Sequence, residues 1–335
     1  MCIKTLVIAV TAVVIAGCSP KQPDIYIAGF EELDNGNAIA VYWKNGHRTV
    51  LSEHSGSAWA FAIAVSGSDV YVAGHEAANL GRLQAVYWKN GEKIILSDGI
   101  STSWASSIAV SGNDVYVAGR EMTPQGRLQA VYWKNGEKVI LSEGPLSSMA
   151  VRIVIVDSNV YVAGNDTNGE PEGIKAVYWI NGERFVLSVD PDNAAVRAMT
   201  IVGTDVHMAG IEDVKAVYWK NDSKMYLSYN EFVSSVSSIT VVYDDVYIAG
   251  NEIDSRGKTA AVYWKNGEKH ILTNDVHAGM ANAVAVDGDN LFIAGRDIDK
   301  HDVHAAVYWE NGTMIHLSRG DNVVSAVANA MVITR

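Results

Sequence analysis

The sequence predicts an all-β fold assembled from seven copies of one four-stranded unit. Three observations carry that prediction. The first is a heptapeptide, Ala-Val-Tyr-Trp-Lys-Asn-Gly at Ala85–Gly91, which returns along the chain with small changes. Its tryptophans are Trp43, Trp88, Trp133, Trp179, Trp219, Trp264 and Trp309, spaced 45, 45, 46, 40, 45 and 45 residues apart. Self-similarity at that period marks a propeller or a solenoid. The second is the Asn-Gly pair between two apolar runs, as at Asn135-Gly136, the strongest short hairpin signal. The third is a β-rich run ending in Gly, as at Val115–Gly119, which also recurs seven times.

Taken in chain order, residues 1–17 read as a leader. Met1–Lys4 is a short basic start and Thr5–Ala16 an apolar run, too short to span a bilayer and suited to a signal-peptide core. Ile15-Ala16-Gly17-Cys18 places small residues before a cysteine, which resembles the lipobox of bacterial lipoproteins. The resemblance implies cleavage before Cys18 and lipidation of that cysteine. Cys2, the other cysteine, would leave with the leader, so neither a disulfide framework nor a cysteine metal site is expected. Ser19 after the cysteine favours the outer membrane of a Gram-negative envelope. Residues 18–24 then form a short tether of at most about 20 Å.

The third unit serves as the template. Ala105–Val110 is an apolar run, strand a. Ser111-Gly112-Asn113-Asp114 has turn chemistry. Val115–Gly119 is strand b, and a polar loop, Arg120–Gln129, follows. Ala130–Lys134 is strand c, Asn135-Gly136 the hairpin, and Lys138–Leu141 strand d. Four short strands in about 45 residues make a propeller blade. Both faces of each strand are apolar, as a sheet packed between two neighbours requires. The repeated Trp and the leucines eight residues on (Leu51, Leu96, Leu141, Leu187, Leu227, Leu272 and Leu317) are expected to fill the space between blades.

Seven copies of strand b can be read, starting at Ile25 and ending at Leu291–Gly295. The first has no strand a before it, and Ala328–Ile333 at the other end is spare. The spare strand should complete blade 1 and close the ring. Residues 25–335 are therefore expected to form a single seven-bladed β-propeller with four antiparallel strands per blade.

The repeat resembles the bacterial extracellular repeats called HAF, which run from a small-aromatic-x-Trp strand through a Gly turn to a Leu. The likeness covers nearly all of the mature chain. It departs in the Tyr-Val-Ala-Gly strand and in lacking the histidine that gives those repeats their name. The family implies no defined activity. Similarity to YWTD and WD40 propellers is architectural, since the Asp of either motif is absent after the Trp.

Loop lengths divide the disc. The a–b and c–d turns are short, whereas the b–c and d–a loops are long and variable, where function usually rides. An acidic residue stands second after the strand-b Gly in every unit: Glu31, Glu76, Glu121, Asp166, Glu212, Glu252 and Asp297. These carboxylates either make structural contacts or form a ring that attracts cations or a basic partner. Trp59 and Trp104 sit outside the repeat motif at equivalent places, where loop d–a enters strand a in blades 2 and 3. There they could stack on a sugar or grip a peptide, with His54, Glu76, Arg120 and Glu121 as polar neighbours. Arg152 and Arg197 interrupt the small apolar strand a of blades 4 and 5. Either they pair with the acidic ring or they line the channel and hold an anion.

No nucleophile elbow, P-loop, dinucleotide fingerprint or HExxH occurs. His301-x-x-His304 is the nearest approach to a metal cluster, and neither a metal nor another cofactor is expected. The net charge of −12 argues against nucleic acid. The expectation is a monomeric, non-enzymatic binding or scaffold lipoprotein, tethered to the membrane through Cys18. Its long-loop face would bind an envelope protein, peptide or glycan. The alternatives are a glycan lyase or hydrolase working through carboxylates such as Glu76 and Glu121, and a multivalent lectin with one site per blade.

Overall fold

The computed structural model describes residues 22–53, 56–143, 147–166, 173–187, 193–221, 223–228, 233–253, 256–273 and 278–335. Cys18 and His54 lie outside them. The described residues form seven four-stranded antiparallel sheets. Blade 2 shows the pattern, with strands a to d at Ala58–Ser66, Asp69–Ala77, Leu83–Lys89 and Glu92–Ile95. Strand a of the next five blades is Ser103–Ser111, Ser148–Val156, Ala194–Val202, Val233–Val242 and Ala278–Asp287.

Blade 1 joins the two ends of the chain. Its strand b, Asp24–Leu33, pairs on one side with Ala38–Lys44 and on the other with Val323–Thr334, in a register running from Asp24↔Thr334 to Leu33↔Val323. His47–Val50 completes the sheet. The a strands of successive blades touch one another round the whole circle, including blade 7 to blade 1 and blade 1 to blade 2. Strand a is thus innermost and the ring is closed.

The core is a set of seven layers, each between two neighbouring blades. Trp133 of blade 3 packs with Tyr87 and Leu96 of blade 2, and Trp43 of blade 1 packs with Leu317 of blade 7. Trp43, Trp88, Trp133, Trp179, Trp264 and Trp309 are essentially sealed from solvent. Burying a side chain of this size contributes a few kcal/mol, on the order of 25 cal/mol per Å². The tryptophans are therefore the cement between blades.

The hairpin turns follow the expected chemistry. Asn90 and Gly91 adopt φ of 52° and 86°, the left-handed pair of a type I′ turn. The asparagine does more than turn the chain. In blade 2 its Oδ1 accepts the Val70 amide at 2.8 Å and its Nδ2 donates to Asp69 at 2.8 Å, which pins the c–d hairpin to strand b. Asn45, Asn135, Asn181, Asn221, Asn266 and Asn311 accept the equivalent strand-b amide. The 40-residue step between Trp179 and Trp219 has a local cause. The b–c loop of blade 5 shrinks to the turn Asp213-Val214, both residues at positive φ.

Candidate functional site

The residues that face the channel are set by a feature in every blade. The strand-b glycine sits opposite a β-bulge in strand a. In blade 2 the register skips Phe61 between Ala60 and Ala62, beside Gly74. A Cβ at Gly74 would lie 1.9 Å from the Trp59 carbonyl oxygen, and the same contact at Gly119 would be 1.9 Å from that of Trp104. Only glycine permits that approach. The bulge leaves one strand-a residue per blade unpaired in the ladder. These are Asn329, Phe61, Ser106, Val151, Arg197, Ser237 and Asn282.

All seven bulge residues border a cavity of about 440 Å³ in the central channel. Its walls differ in chemistry. Blade 2 contributes an apolar side with Phe61 and Ile63. Blades 3, 4 and 5 contribute Arg120, Arg152 and Arg197. Blades 6, 7 and 1 contribute Ser237, Asn282 and Asn329. The amides brace the ring as well, since Asn282 Nδ2 donates to the Ala328 carbonyl at 2.9 Å and Asn329 Nδ2 to the Ala60 carbonyl at 2.9 Å. Among the described residues no carboxylate lines the cavity.

The equivalent tryptophans have different surroundings. Trp104 borders the cavity, and the Arg120 guanidinium lies 4.5 Å from its ring centre. Arg120 also reaches the Met149 sulfur at 3.6 Å, while its Nε is buried without a hydrogen-bond partner. Trp59 does not border the cavity. It packs on His75, with ring centres 5.2 Å apart, and Phe61 stacks on that same imidazole at 5.0 Å. Two neighbours differ between the blades: the bulge residue is Phe61 in blade 2 and small Ser106 in blade 3, and the strand-b partner of the tryptophan is His75 in blade 2 and Arg120 in blade 3. His75 is buried, and burial together with the nearby positive charge of Arg120 pulls its pKa down to about 4, so the imidazole is neutral at pH 7.

Burial also holds the guanidiniums of Arg120, Arg152 and Arg197 below their usual pKa. Arg197 adds like-charge repulsion at Arg120. Guanidinium pKa values start so high that all three stay charged. Arg197 reaches the water of the channel and Arg152 is half-buried. Neither has a carboxylate partner among the described residues.

The acidic residues of strand b are engaged elsewhere. Each of six meets a basic residue from strand d of its own blade. Arg48 Nε donates to Glu31 at 2.7 Å, Lys93 to Glu76 at 2.8 Å, Lys138 to Glu121 at 2.6 Å, and Arg184 Nε to Asp166 at 2.8 Å. Lys224 meets Glu212 at 2.8 Å and Lys269 meets Glu252 at 2.6 Å. In blade 7 Met314 stands where the base would be, and Asp297 is buried. The acids therefore serve as inward partners of strand d, and neither Glu76 nor Glu121 borders the cavity. On the short-turn face, Lys44, Lys89, Lys134, Lys220 and Lys265 pair with Asp24, Asp69, Asp114, Asp205 and Asp245 at 2.8–3.2 Å. Each of these lysines is balanced by the aspartate of its own blade.

Sequence reasoning named Trp104, Arg120, Arg152 and Arg197, and the structure brings these four to one cavity. It missed His75, Phe61, Ser237, Asn282 and Asn329. The available signal was the strand-b glycine, whose close approach to strand a implies the bulge and hence the residue turned inward.

No protein-family model matches the chain, and no curated protein does, so the likeness to HAF repeats rests on the motif alone. Solved structures do match. A puromycin-hydrolysing peptidase of Mycobacterium tuberculosis superposes with a TM-score of 0.61 at 11% identity, covering 89% of this chain and 52% of its own. The present chain thus spans about half the length of that peptidase. The β-propeller domain of the Trilobed protease from Pyrococcus furiosus, described as having an open velcro topology, superposes with a TM-score of 0.55 at 11% identity, covering 90% of this chain and 98% of its own. Likeness at this identity shows the fold. The chain is a seven-bladed β-propeller, closed by its C-terminal strand.

Proposed function

We propose that the chain is a lipid-anchored binding propeller of a bacterial cell envelope, held by a lipidated Cys18 and taking a peptide or glycan into the long-loop end of its channel. The observation that carries the reading is the channel cavity of about 440 Å³, where Trp104, Arg120, Arg152 and Arg197 converge on one side. Concave sites of some hundreds of Å³ with a few convergent polar groups are where small ligands bind. Arg152 and Arg197 have no arginine counterpart at their strand-a positions in any other blade, so this side of the channel differs from the rest.

The multivalent lectin reading is less supported, because the inward residues differ from blade to blade. The two-carboxylate enzyme reading is less supported, because Glu76 and Glu121 are each held by a lysine away from the cavity. The test is a thermal-shift screen of the detergent-solubilised protein against envelope glycans, peptidoglycan fragments and peptides, repeated with Trp104→Ala. A ligand at a hundred times its dissociation constant should stabilise by about 2.7 kcal/mol. A shift that persists undiminished in Trp104→Ala would place binding elsewhere. For the anchor, labelled palmitate should enter the wild type and not Cys18→Ser; labelling of both would refute it.

A further inference from the structure

We propose that Arg120, Arg152 and Arg197 form an oxyanion site, and that the ligand of the channel is a sugar-sized molecule carrying a carboxylate or a phosphate. The inference deepens the binding reading above and rests on it. Three observations support it.

The first is the contrast in pairing. The strand-d bases that reach inward meet a strand-b acid, and the lysines of the short-turn face meet a turn aspartate. The three channel arginines have no carboxylate partner among the described residues, and the described cavity lining contains none. This happens in a chain with 38 acidic residues against 26 basic ones, so no shortage of acids explains it.

The second is position. Arg152 stands in a strand-a column that is otherwise Ala62, Ser107, Ala198, Ser238, Ala283 and Ala330. Arg197 occupies the bulge position that other blades give to Phe, Ser, Val or Asn. Two blades in succession break the repeat with the same chemistry, and Arg120 of the blade before borders the same cavity.

The third is energetic. Arg120 and Arg152 are half-buried without a counter-charge, which is costly, and Arg197, though it reaches channel water, repels Arg120. An arriving oxyanion removes both costs. Guanidinium forks match carboxylate and phosphate oxygens in pairs, which gives strength and orientation together. The low-dielectric walls concentrate the positive field at the channel mouth and draw anions in from an otherwise acidic protein. Opposite the arginines, Asn282 and Asn329, with Phe61 and Ile63 alongside, offer amide and apolar surface to the uncharged part of the ligand.

The experiment is calorimetric titration of the full-length protein in detergent with glucuronate, glucose 6-phosphate and glucose, on wild type, Arg197→Gln and Arg152→Met, with the Tm of each free protein measured. Arg197→Gln is the safer variant, since that side chain reaches channel water. The expected result is binding of one or both charged sugars and not of glucose, weakened about tenfold or more in each variant, with a free-protein Tm unchanged or raised. Preference for glucuronate or for glucose 6-phosphate identifies the carboxylate or the phosphate. Equal binding of glucose, or binding unaffected by both substitutions, overturns the oxyanion site and leaves the channel reading standing. No binding of any charged sugar, with a lowered Tm in both variants, assigns the arginines a structural role. In that case a neutral ligand found in the Trp104→Ala screen would preserve the wider reading, and none would end it.

Discussion

Two sets of charges in this propeller are built in opposite ways. Toward the rim, strand-b acids are sealed by strand-d bases of the same blade, as Glu31 is by Arg48. In the channel, Arg120, Arg152 and Arg197 share a cavity with one another and with no described carboxylate. Rim charges repeat from blade to blade, whereas channel charges occur on one side only. A charge that six of the seven blades neutralise for themselves belongs to the scaffold. A charge that the fold leaves unneutralised in a cavity marks a place prepared for something else.

The strongest test of the rim half is Arg48→Ala. It leaves the fully buried Glu31 carboxylate with the Gly320 amide, at 3.2 Å, and no base. Stripping one partner from a buried pair costs about 3–5 kcal/mol, read by chemical denaturation. A loss under about 1 kcal/mol would put Glu31 among ordinary surface charges.

On the channel side, His75 reports how poorly that wall accepts positive charge. Its folded pKa, about 4, lies below the ordinary value of 6.5, so the unfolded chain takes up the proton first. The stability it contributes is complete above about pH 6.5 and is lost as pH falls toward 4, by about 3 kcal/mol. Comparing His75→Phe with wild type between pH 7 and pH 4 isolates this part. Parallel pH profiles for the two proteins would contradict it.

Opposite signs are expected from the next pair. Arg152→Met removes an enclosed charge that has no partner, so the free protein should gain about 1 kcal/mol. Lys138→Ala takes a half-exposed lysine from Glu121 and should lose about 1 kcal/mol. Should both destabilise equally, the distinction between rim and channel would fail. The smallest effect belongs to Lys89→Ala on the short-turn face. Its pair with Asp69 lies at the solvent surface, and the Tm should stay the same within error.

Much of the fold could be read before any coordinates. The Asn-Gly hairpins were legible because the left-handed conformation admits few residues. Closure was legible because a missing strand at one end matched a spare strand at the other. The site was legible only in part. Trp59 and Trp104 hold the same place in adjacent repeats, and their neighbours separate them: Phe61 and His75 in blade 2, Ser106 and Arg120 in blade 3. The acidic column was visible, but its partners were not, because Glu76 and Lys93 stand 17 residues apart on strands that are not neighbours in their sheet.

By itself the sequence determined the repeat, the order of strands, the number of blades and the way the ring closes. Those depend on local chemistry: turn residues, β-rich runs and a period. Only the tertiary structure decided which charges are neutralised and which face the channel. Pairing across two strands depends on how the sheet brings distant side chains together. Facing the channel depends on a bulge that one glycine makes possible, and on which neighbouring blades bring their side chains to the same cavity.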